Sequence, residues 1–458
     1  MEATTHWLTQ SNNNLRDRTT CVLKGFRVIK SSASLLSILL FANLSLPLHA
    51  QATDPAPEIE RWNFTSFGTV GIAHTQGQDL TARRDIAQPD TFNNDWSWKL
   101  DSLVGAQVNA QLSDTISLAV QGVLKSRAEQ SLDRSIERAF LGWQVTPRLS
   151  LQAGRIGVDF YMLSDYRDIG FAYLWARPPA EFYGTLFQSN IDGAGVVYKY
   201  PLASGSVVAR LYGGTHQGEV DVETTTGAHD ADPIRASGVG GSIAFESEKW
   251  RLKIGGGRVR FDRGLHSAQP LFENLNNPTV QALWPAAAKY AEIAEFKGSE
   301  FGFYSAGASY DDSIWQVSGE VGYLDSGWDL EPNMLSAYLS LGRHIGQVTP
   351  YLILADAHSD SYRNNLPPPA TTSIPQIDVP LQMLRTYTEN VFHLVGADQH
   401  TVSLGARWDL LATVAFKVQW DHTRVAAESA ALWWNNTNIR PAPAATVDLV
   451  SASVNWVY

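Results

Sequence analysis

What most restricts the fold of this chain is a rhythm: stretches in which apolar and polar residues alternate one by one are joined first by a tight turn, then by a long polar connection. From Ala412 to Thr423, residues Ala412, Val414, Phe416, Val418 and Trp420 share one face, and Thr413, Lys417, Gln419 and Asp421 share the other. A period of two is that of a β-strand, whose successive side chains point to opposite sides. The same alternation separates Val104, Ala106, Val108 and Ala110 from Gln107, Asn109 and Gln111, and Ile116, Leu118, Val120 and Leu124 from Ser117, Gln121, Lys125 and Arg127. Further strands are expected from Trp62, Ile136, Leu149, Asp192, Ser206, Ile234, Trp250, Phe301, Ile314, Met334, Val348, Gln399 and Thr446, sixteen in all.

Tight turns fall at Ser113–Thr115, Thr146–Arg148, Pro201–Gly205, Ser247–Lys249, Asp311–Ser313, Ile345–Gln347 and Asp409–Leu411. Between them lie Gln76–Trp96, Gly157–Phe187, Asp262–Gly298, Asp360–Asp398 and Val425–Ala445, with shorter connections around Glu129 and Trp328. Long structureless connections are rare in compact soluble domains, whereas a transmembrane barrel has short periplasmic turns at one end and long extracellular loops at the other. Hydrocarbon offers no water to the backbone, so only a closed sheet can cross it with strands. The expected fold is all-β: a transmembrane antiparallel barrel over residues 62–458, wide enough at sixteen strands to enclose an aqueous lumen. A soluble sandwich or propeller is disfavoured, since no blade-length repeat occurs.

The N-terminus supplies the compartment. Arg16, Arg18, Lys24, Arg27 and Lys30 precede the apolar stretch Leu35–Leu48 and the small-residue sequence Ala50-Gln51-Ala52, the pattern of a secretory signal peptide over residues 1–50, with cleavage expected near Ala50 or Ala52. Residues 51–61 are then a short periplasmic segment. Loss of 1–50 removes five basic and two acidic residues and the single cysteine, Cys21, so the net charge goes from −11 to −14. A chain with no cysteine suits an oxidising periplasm, and an acidic balance gives no field to hold nucleic acid. The expected destination is the outer membrane of a Gram-negative cell. A TonB-dependent transporter would need a plug domain ahead of Trp62, and there is no room for one.

The last strand alternates Val450, Ala452, Val454, Trp456 and Tyr458 against Leu449, Ser451, Ser453 and Asn455. In ending on an aromatic, the chain resembles the Gram-negative general porins. Tyr458 stands where that family usually has Phe. The resemblance implies that the barrel-assembly machinery reads Tyr458, that lipid and lipopolysaccharide surround the barrel, that the protein is a homotrimer, and that the third long loop, 157–187, folds inward to narrow a pore. It places Asp165 and Glu181 opposite Lys125, Arg127, Arg138 and Arg155, although the family's acidic loop signature is absent and Arg177-Pro178-Pro179 stiffens the segment differently. Trp62, Phe64, Trp96, Trp143, Trp250, Tyr310, Trp315, Tyr323, Trp408, Trp420 and Trp456 fall near strand ends, where girdles at the lipid headgroups would place them.

If the apolar face meets lipid, parity directs Lys125, Arg127, Arg138, Lys199, Arg210, Lys253, Arg407 and Lys417 into the lumen, with Asp101, Glu246, Glu320 and Asp421. Basic residues lining a pore favour anions. The expected function is a passive diffusion channel for small hydrophilic solutes with a weak anion preference. Alternatives are a substrate-selective channel with a site among the loop aromatics, and a non-conducting adhesin or structural barrel. No cofactor, resident metal or catalytic motif is expected. Asp421 and His422 are adjacent and so fall on opposite faces, and Asp356, His358 and Asp360 at a strand end are more simply solvated than metal-bound. Gly255-Gly256-Gly257 suggests a bulge that leaves the faces of Arg258 and Arg260 open, and lacks the spacing of a phosphate-binding loop. Loop 278–297 is expected to carry a short helix interrupted by Pro285. Trp433-Trp434 would suit either a sugar or a membrane interface.

Overall fold

The computed structural model describes residues 61–76, 79–92, 95–127, 131–185, 189–223, 229–328, 331–360, 366–392, 396–435 and 442–458. The expected leader, its cleavage point and residues 51–60 lie outside them, as do the last residues of the 157–187 loop.

Sixteen long strands form the barrel: β1 (Trp62–Gln76), β2 (Leu103–Gln111), β3 (Ile116–Lys125), β4 (Ile136–Thr146), β5 (Leu149–Gly157), β6 (Asn190–Leu202), β7 (Gly205–Glu223), β8 (His229–Glu246), β9 (Trp250–Phe261), β10 (Glu300–Asp311), β11 (Trp315–Ser326), β12 (Met334–Arg343), β13 (Val348–Ser359), β14 (Ala397–Leu411), β15 (Val414–Ala430) and β16 (Ala445–Val457). Each is antiparallel to its neighbours in sequence, and the sheet closes where β16 pairs with β1, from Phe67↔Val457 to Gln76↔Asp448. The two-residue strand Trp96–Ser97 also pairs with β1, and Leu80–Ala82 pairs with Trp433–Asn435 as a separate small sheet. No described helix is long and apolar enough to cross a membrane.

Parity runs through the wall as a period-two sequence requires. On β12, Leu335, Leu339 and Leu341 are exposed on the outer surface, while Ser336 and Ser340 are buried toward the interior. On β15 and β16, Val418, Trp420, Val450 and Val454 face out, and Lys417, Gln419, Thr423, Ser451, Ser453 and Asn455 face in. Exposed aromatics mark the two rims: Trp143, Trp250, Trp315 and Trp408 near the tight turns, and Trp96, Tyr304, Tyr323 and Trp420 toward the long loops. An amphipathic ring sits well at headgroup depth, which accounts for the two bands.

The hairpin of β7 and β8 is longer than the nine to eleven residues that span a bilayer. Its outer half supports an apolar cap in which Ile234, Phe261, Leu275, Trp284, Tyr290, Phe296 and Trp328 are buried together. Helices Gln269–Leu275, Pro278–Leu283 and Ala286–Ala294 build that cap, and the break at Trp284-Pro285 falls where Pro removes a backbone donor. The helix Pro375–Phe392 was not anticipated from the sequence.

Three local expectations need correction. The glycine run at 255–257 forms no bulge, for the register with β10 is unbroken from Ile254↔Ala306 to Arg258↔Gly302. Arg258 therefore keeps the parity of Leu252 and Ile254 and lies exposed on the outer face. The last tight turn is at Ala412-Thr413 rather than 409–411, after a register shift between Asp409 and Leu411. And β8 begins at His229 rather than Ile234, because pairing with β7 carries the ladder beyond the alternating segment.

If the outer face of β12 contacts acyl chains, Leu339→Arg, near the middle of the strand, should lower the unfolding free energy in lipid vesicles by about 2–4 kcal/mol. Urea titration of vesicle-folded protein measures this; an unchanged midpoint and slope would contradict the lipid-facing assignment.

Candidate functional site: the segment inside the barrel

The connection that leaves β5 turns into the barrel. From Val158 to Tyr183 most residues are buried, and they meet the inward side of the wall on strands far apart in the chain. The physical cause is composition: Phe160, Tyr161, Trp175, Phe182 and Tyr183 would be poorly solvated outside. Inside they pack on Tyr212, Phe303, Tyr338 and Tyr351. Trp175 and Phe182 approach Tyr338 edge-on, with ring centroids 5.2 and 5.6 Å away. The wall makes room through glycine. A Cβ on Gly240 or Gly257 would come within 2.5 or 2.6 Å of the Phe160 ring, and one on Gly255 within 2.5 Å of its carbonyl oxygen. The glycine run is thus a seat for one aromatic side chain.

Ionic contacts fasten the same segment. Asp159 pairs with Lys253 and with Arg210 at 3.1 Å, and accepts from Ser242. Asp165 pairs with Arg210 at 2.9 Å and lies 3.7 Å from Arg138, whose guanidinium also donates to the carbonyls of Ser164 and Asp165. Asp168 pairs with Lys125 at 2.8 Å. Arg177 donates to both carboxylate oxygens of Asp101, to Ser451, and lies 3.7 Å from Asp421. Arg407 and Lys417 instead donate to backbone carbonyls of residues 170–175.

Lys125, Arg127, Arg138, Arg210, Arg407 and Lys417 all reach into this interior, as do Asp101, Glu320 and Asp421, so they sit where parity directs them. Arg127 pairs with Glu137, which also lies 3.2 Å from Lys125. Arg155 departs from its expected position: Ile156 is the residue turned into the core, and Arg155 pairs with exposed Asp192 at 2.8 Å and Asp133 at 3.4 Å near the rim. Glu181 departs too. Rather than facing the basic residues of β3–β5, it accepts from Thr401 and, at 2.6 Å, from Gln399 on β14. Glu320 accepts from Tyr183, from Tyr338 at 2.7 Å and from the Met162 amide at 2.7 Å.

Sequence reasoning missed the first long connection. Arg84 and Asp85 lie beside the segment, with Asp85 3.0 Å from Arg84 and 3.5 Å from Arg167. Loops have no periodicity from which an inward path could be read. Trp433 and Trp434 are buried, donating to Gln399 and to the Gln88 carbonyl, so their rings are not presented to a sugar. Asp356 and His358 face outward, each against a partner on β14: Asp356 with His400, and His358 with Asp398 at 3.3 Å. His422 turns outward to Asp448 at 2.9 Å while Asp421 turns in. Among the described residues, no three metal-ligating side chains are arranged to hold an ion.

Between the segment and the β3–β7 wall remains a cavity of about 100 Å³. Its lining includes seven basic side chains (Arg84, Lys125, Arg127, Arg134, Arg138, Arg155, Arg167), six acidic ones (Asp85, Glu137, Asp165, Asp168, Asp192, Glu219) and His216. Burial by itself would raise the carboxyls of Asp159, Asp165 and Asp168. The neighbouring Arg210, Lys253, Arg138 and Lys125 outweigh it and hold all three below the ordinary carboxylate range. Glu181, buried and bonded only by neutral donors, is pushed up.

A closed antiparallel barrel of sixteen strands with an apolar exterior, aromatic rims and polar residues turned inward has the build of a transmembrane β-barrel. No protein-family model matches the chain, and no curated relative matches its sequence. Among solved structures it is similar to OmpF of Salmonella typhi in complex with daunomycin, at 11% identity and a TM-score of 0.49, over 87% of this chain and 97% of that one. It is also similar to the anion-selective porin of Comamonas acidovorans, at 13% identity and a TM-score of 0.46, over 87% and 100% of the two chains. A third is OprB of Pseudomonas putida, at 9% identity and a TM-score of 0.45, over 87% and 94%.

The shifted carboxyls set a pH dependence for the segment. A carboxyl depressed in the folded state contributes stability that is present above its unfolded value, near 4, and lost only as pH falls through the lower folded value. Residues 159–168 should therefore stay seated from pH 7 down to about 4 and loosen below it. Glu181 has the opposite sign: its contribution is full below the ordinary value and declines as pH rises through the raised one. Hydrogen exchange of residues 159–168, corrected for intrinsic rates, should be flat between pH 7 and 5; a marked increase in that window would contradict the assignment.

Proposed function

We propose that this protein is an outer-membrane diffusion channel for small hydrophilic solutes, narrow in bore and weakly anion-preferring, with no catalytic role. The observation that carries this reading is the cavity between the inward segment and the β3–β7 wall. It is polar, it borders the inward segment, and its lining, which extends to Arg155 and Asp192 near the rim, has one more basic than acidic side chain. Low-dielectric walls strengthen such a field, yet most of the cations are paired with carboxylates, so a modest preference is expected rather than strict selection.

Assembly as a homotrimer, contact with lipopolysaccharide, and recognition of Tyr458 by the barrel-assembly machinery belong to the same proposal. The exposed ring of Tyr458, whose backbone pairs with Ser66 at the closure of the sheet, is compatible with the last of these. A second reading, a barrel with little conductance, draws support from the way the segment meets strands all round the lumen.

The test is planar-bilayer recording of refolded protein under a salt gradient. Small single-channel steps are expected, with a reversal potential on the anion side, and replacement of Lys125 and Arg127 together by Glu should move that potential toward cations. Clear cation preference in the wild type would overturn the anion assignment, and absence of any conductance would favour the second reading.

A further inference from the structure

The contacts that seat the inward segment divide into two kinds, and the division assigns a role to Lys417. On the side of β3, β7 and β9 the segment is held by carboxylate–cation pairs at Asp159, Asp165 and Asp168. On the side of β14 and β15 it is held through its backbone. The Lys417 ammonium, with no part of its side chain reached by solvent, donates to the carbonyls of Gly170 at 2.6 Å, Tyr173 at 2.6 Å and Trp175 at 2.8 Å, and lies 4.6 Å from the Tyr173 ring centre. Arg407 stands directly across the β14–β15 ladder from Lys417 and donates to the carbonyls of Phe171 at 2.8 Å and Tyr173 at 3.0 Å, with its guanidinium 4.7 Å from the Phe171 ring centre. Arg407 has Asp409 at 2.8 Å, whereas the described ion pairs give Lys417 no carboxylate.

A buried ammonium with no carboxylate in contact among the described residues is costly, and an apolar side chain of similar length would fill the same space on β15 at less cost. What only the ammonium supplies is three donors converging on three carbonyls of one short turn. Those carbonyls belong to a stretch with no regular partner of its own beyond a single helical turn at Gly170–Ala172. The same stretch of wall, continued through β16 and β1, presses on the turn: a Cβ on Gly170 would approach Asn455 Oδ1 to 2.2 Å and Thr69 Oγ1 to 2.4 Å.

We infer that Lys417, seconded by Arg407, is the positioning residue that fixes the height and depth of the 170–175 turn in the barrel, and so sets how much of the lumen the segment leaves open. This rests on the channel reading for its consequence in bore, though not for the clamp itself. Without the ammonium, three buried carbonyls lose their donors, and the turn relieves this by moving to where water can reach them. The wall cations of the charged cavity include Lys125 on β3 and Arg138 on β4 rather than residues of β14 and β15, so the change leaves these charges in place.

The experiment compares wild type with Lys417→Met, Lys417→Arg and Arg407→Gln in detergent-folded barrels, using trypsin cleavage after Arg167, since the Arg177–Pro178 bond resists trypsin, and single-channel conductance. The wild type is expected to resist cleavage, and Lys417→Met to be cut about tenfold faster or more while the barrel still migrates as folded on unheated gels. Arg407→Gln should have a smaller effect, and Lys417→Arg should restore most of the resistance. Lys417→Met should also raise the conductance step and the size of solute admitted, with the sign of the ion preference unchanged. Equal resistance of folded Lys417→Met and wild type overturns the clamp; should Lys417→Met fail to fold, equal resistance of folded Arg407→Gln and wild type does the same. A variant cleaved faster while neither form conducts upholds the clamp and removes the channel reading.

Discussion

Every other feature of this protein depends on one constraint, the pairing of its last strand with its first. A strand in hydrocarbon exposes amides and carbonyls that lipid cannot satisfy, and sixteen strands satisfy all of theirs only if β16 finds β1. The ladder from Phe67↔Val457 to Gln76↔Asp448 meets that condition. Once the sheet is closed, parity has only two destinations, and the alternating residues divide into a lipid-facing set and an enclosed polar set.

Closure also creates an interior with room for more than side chains. Serines, threonines, glutamines and asparagines of β12–β16 line it, and on their own they would be wet. The segment after β5 changes that. By carrying aromatics into the lumen it builds a packed core there, and the buried state of Ser340, Gln399, Gln419 and Ser451 follows from its presence. Trp175 donates to Ser340 at 2.6 Å, and the Ala176 amide to Gln419 at 3.1 Å, so wall polarity is used as attachment. The charged residues follow the same logic. Lys253, Arg210, Arg138 and Arg407 meet carboxylates or carbonyls of the segment, and a lumen that reads as a basic surface in one dimension is largely neutralised in three.

Where the strands begin and which way they face were legible because both follow from a period of two read over single stretches. Fifteen of the sixteen expected starts fall within two residues of the observed ones, and the exception, Ile234, lies in a hairpin extended beyond the membrane by pairing alone. The tendency of 157–187 to be covered was legible from its aromatics. Its attachments were not. Asp165 meets Arg138, but Glu181 lies across the lumen on β14, and Arg84 and Asp85 arrive from a different loop. The Gly255–Gly257 run illustrates the difficulty: its cause is Phe160, nearly a hundred residues earlier in the chain.

By itself, then, the sequence determined an alternating, antiparallel, closed sheet with short turns at one end, since alternation and turn chemistry act between near neighbours and the hydrocarbon removes every alternative to closure. Tertiary structure alone decided which cations are paired, which way Arg155 and Glu181 turn, and where space is left in the lumen. Those outcomes depend on distances between residues on different strands and loops, 247 positions apart in the case of Lys417 and the carbonyl of Gly170. No local pattern encodes such a distance; it arises only when the sheet has closed and the segment has settled inside it.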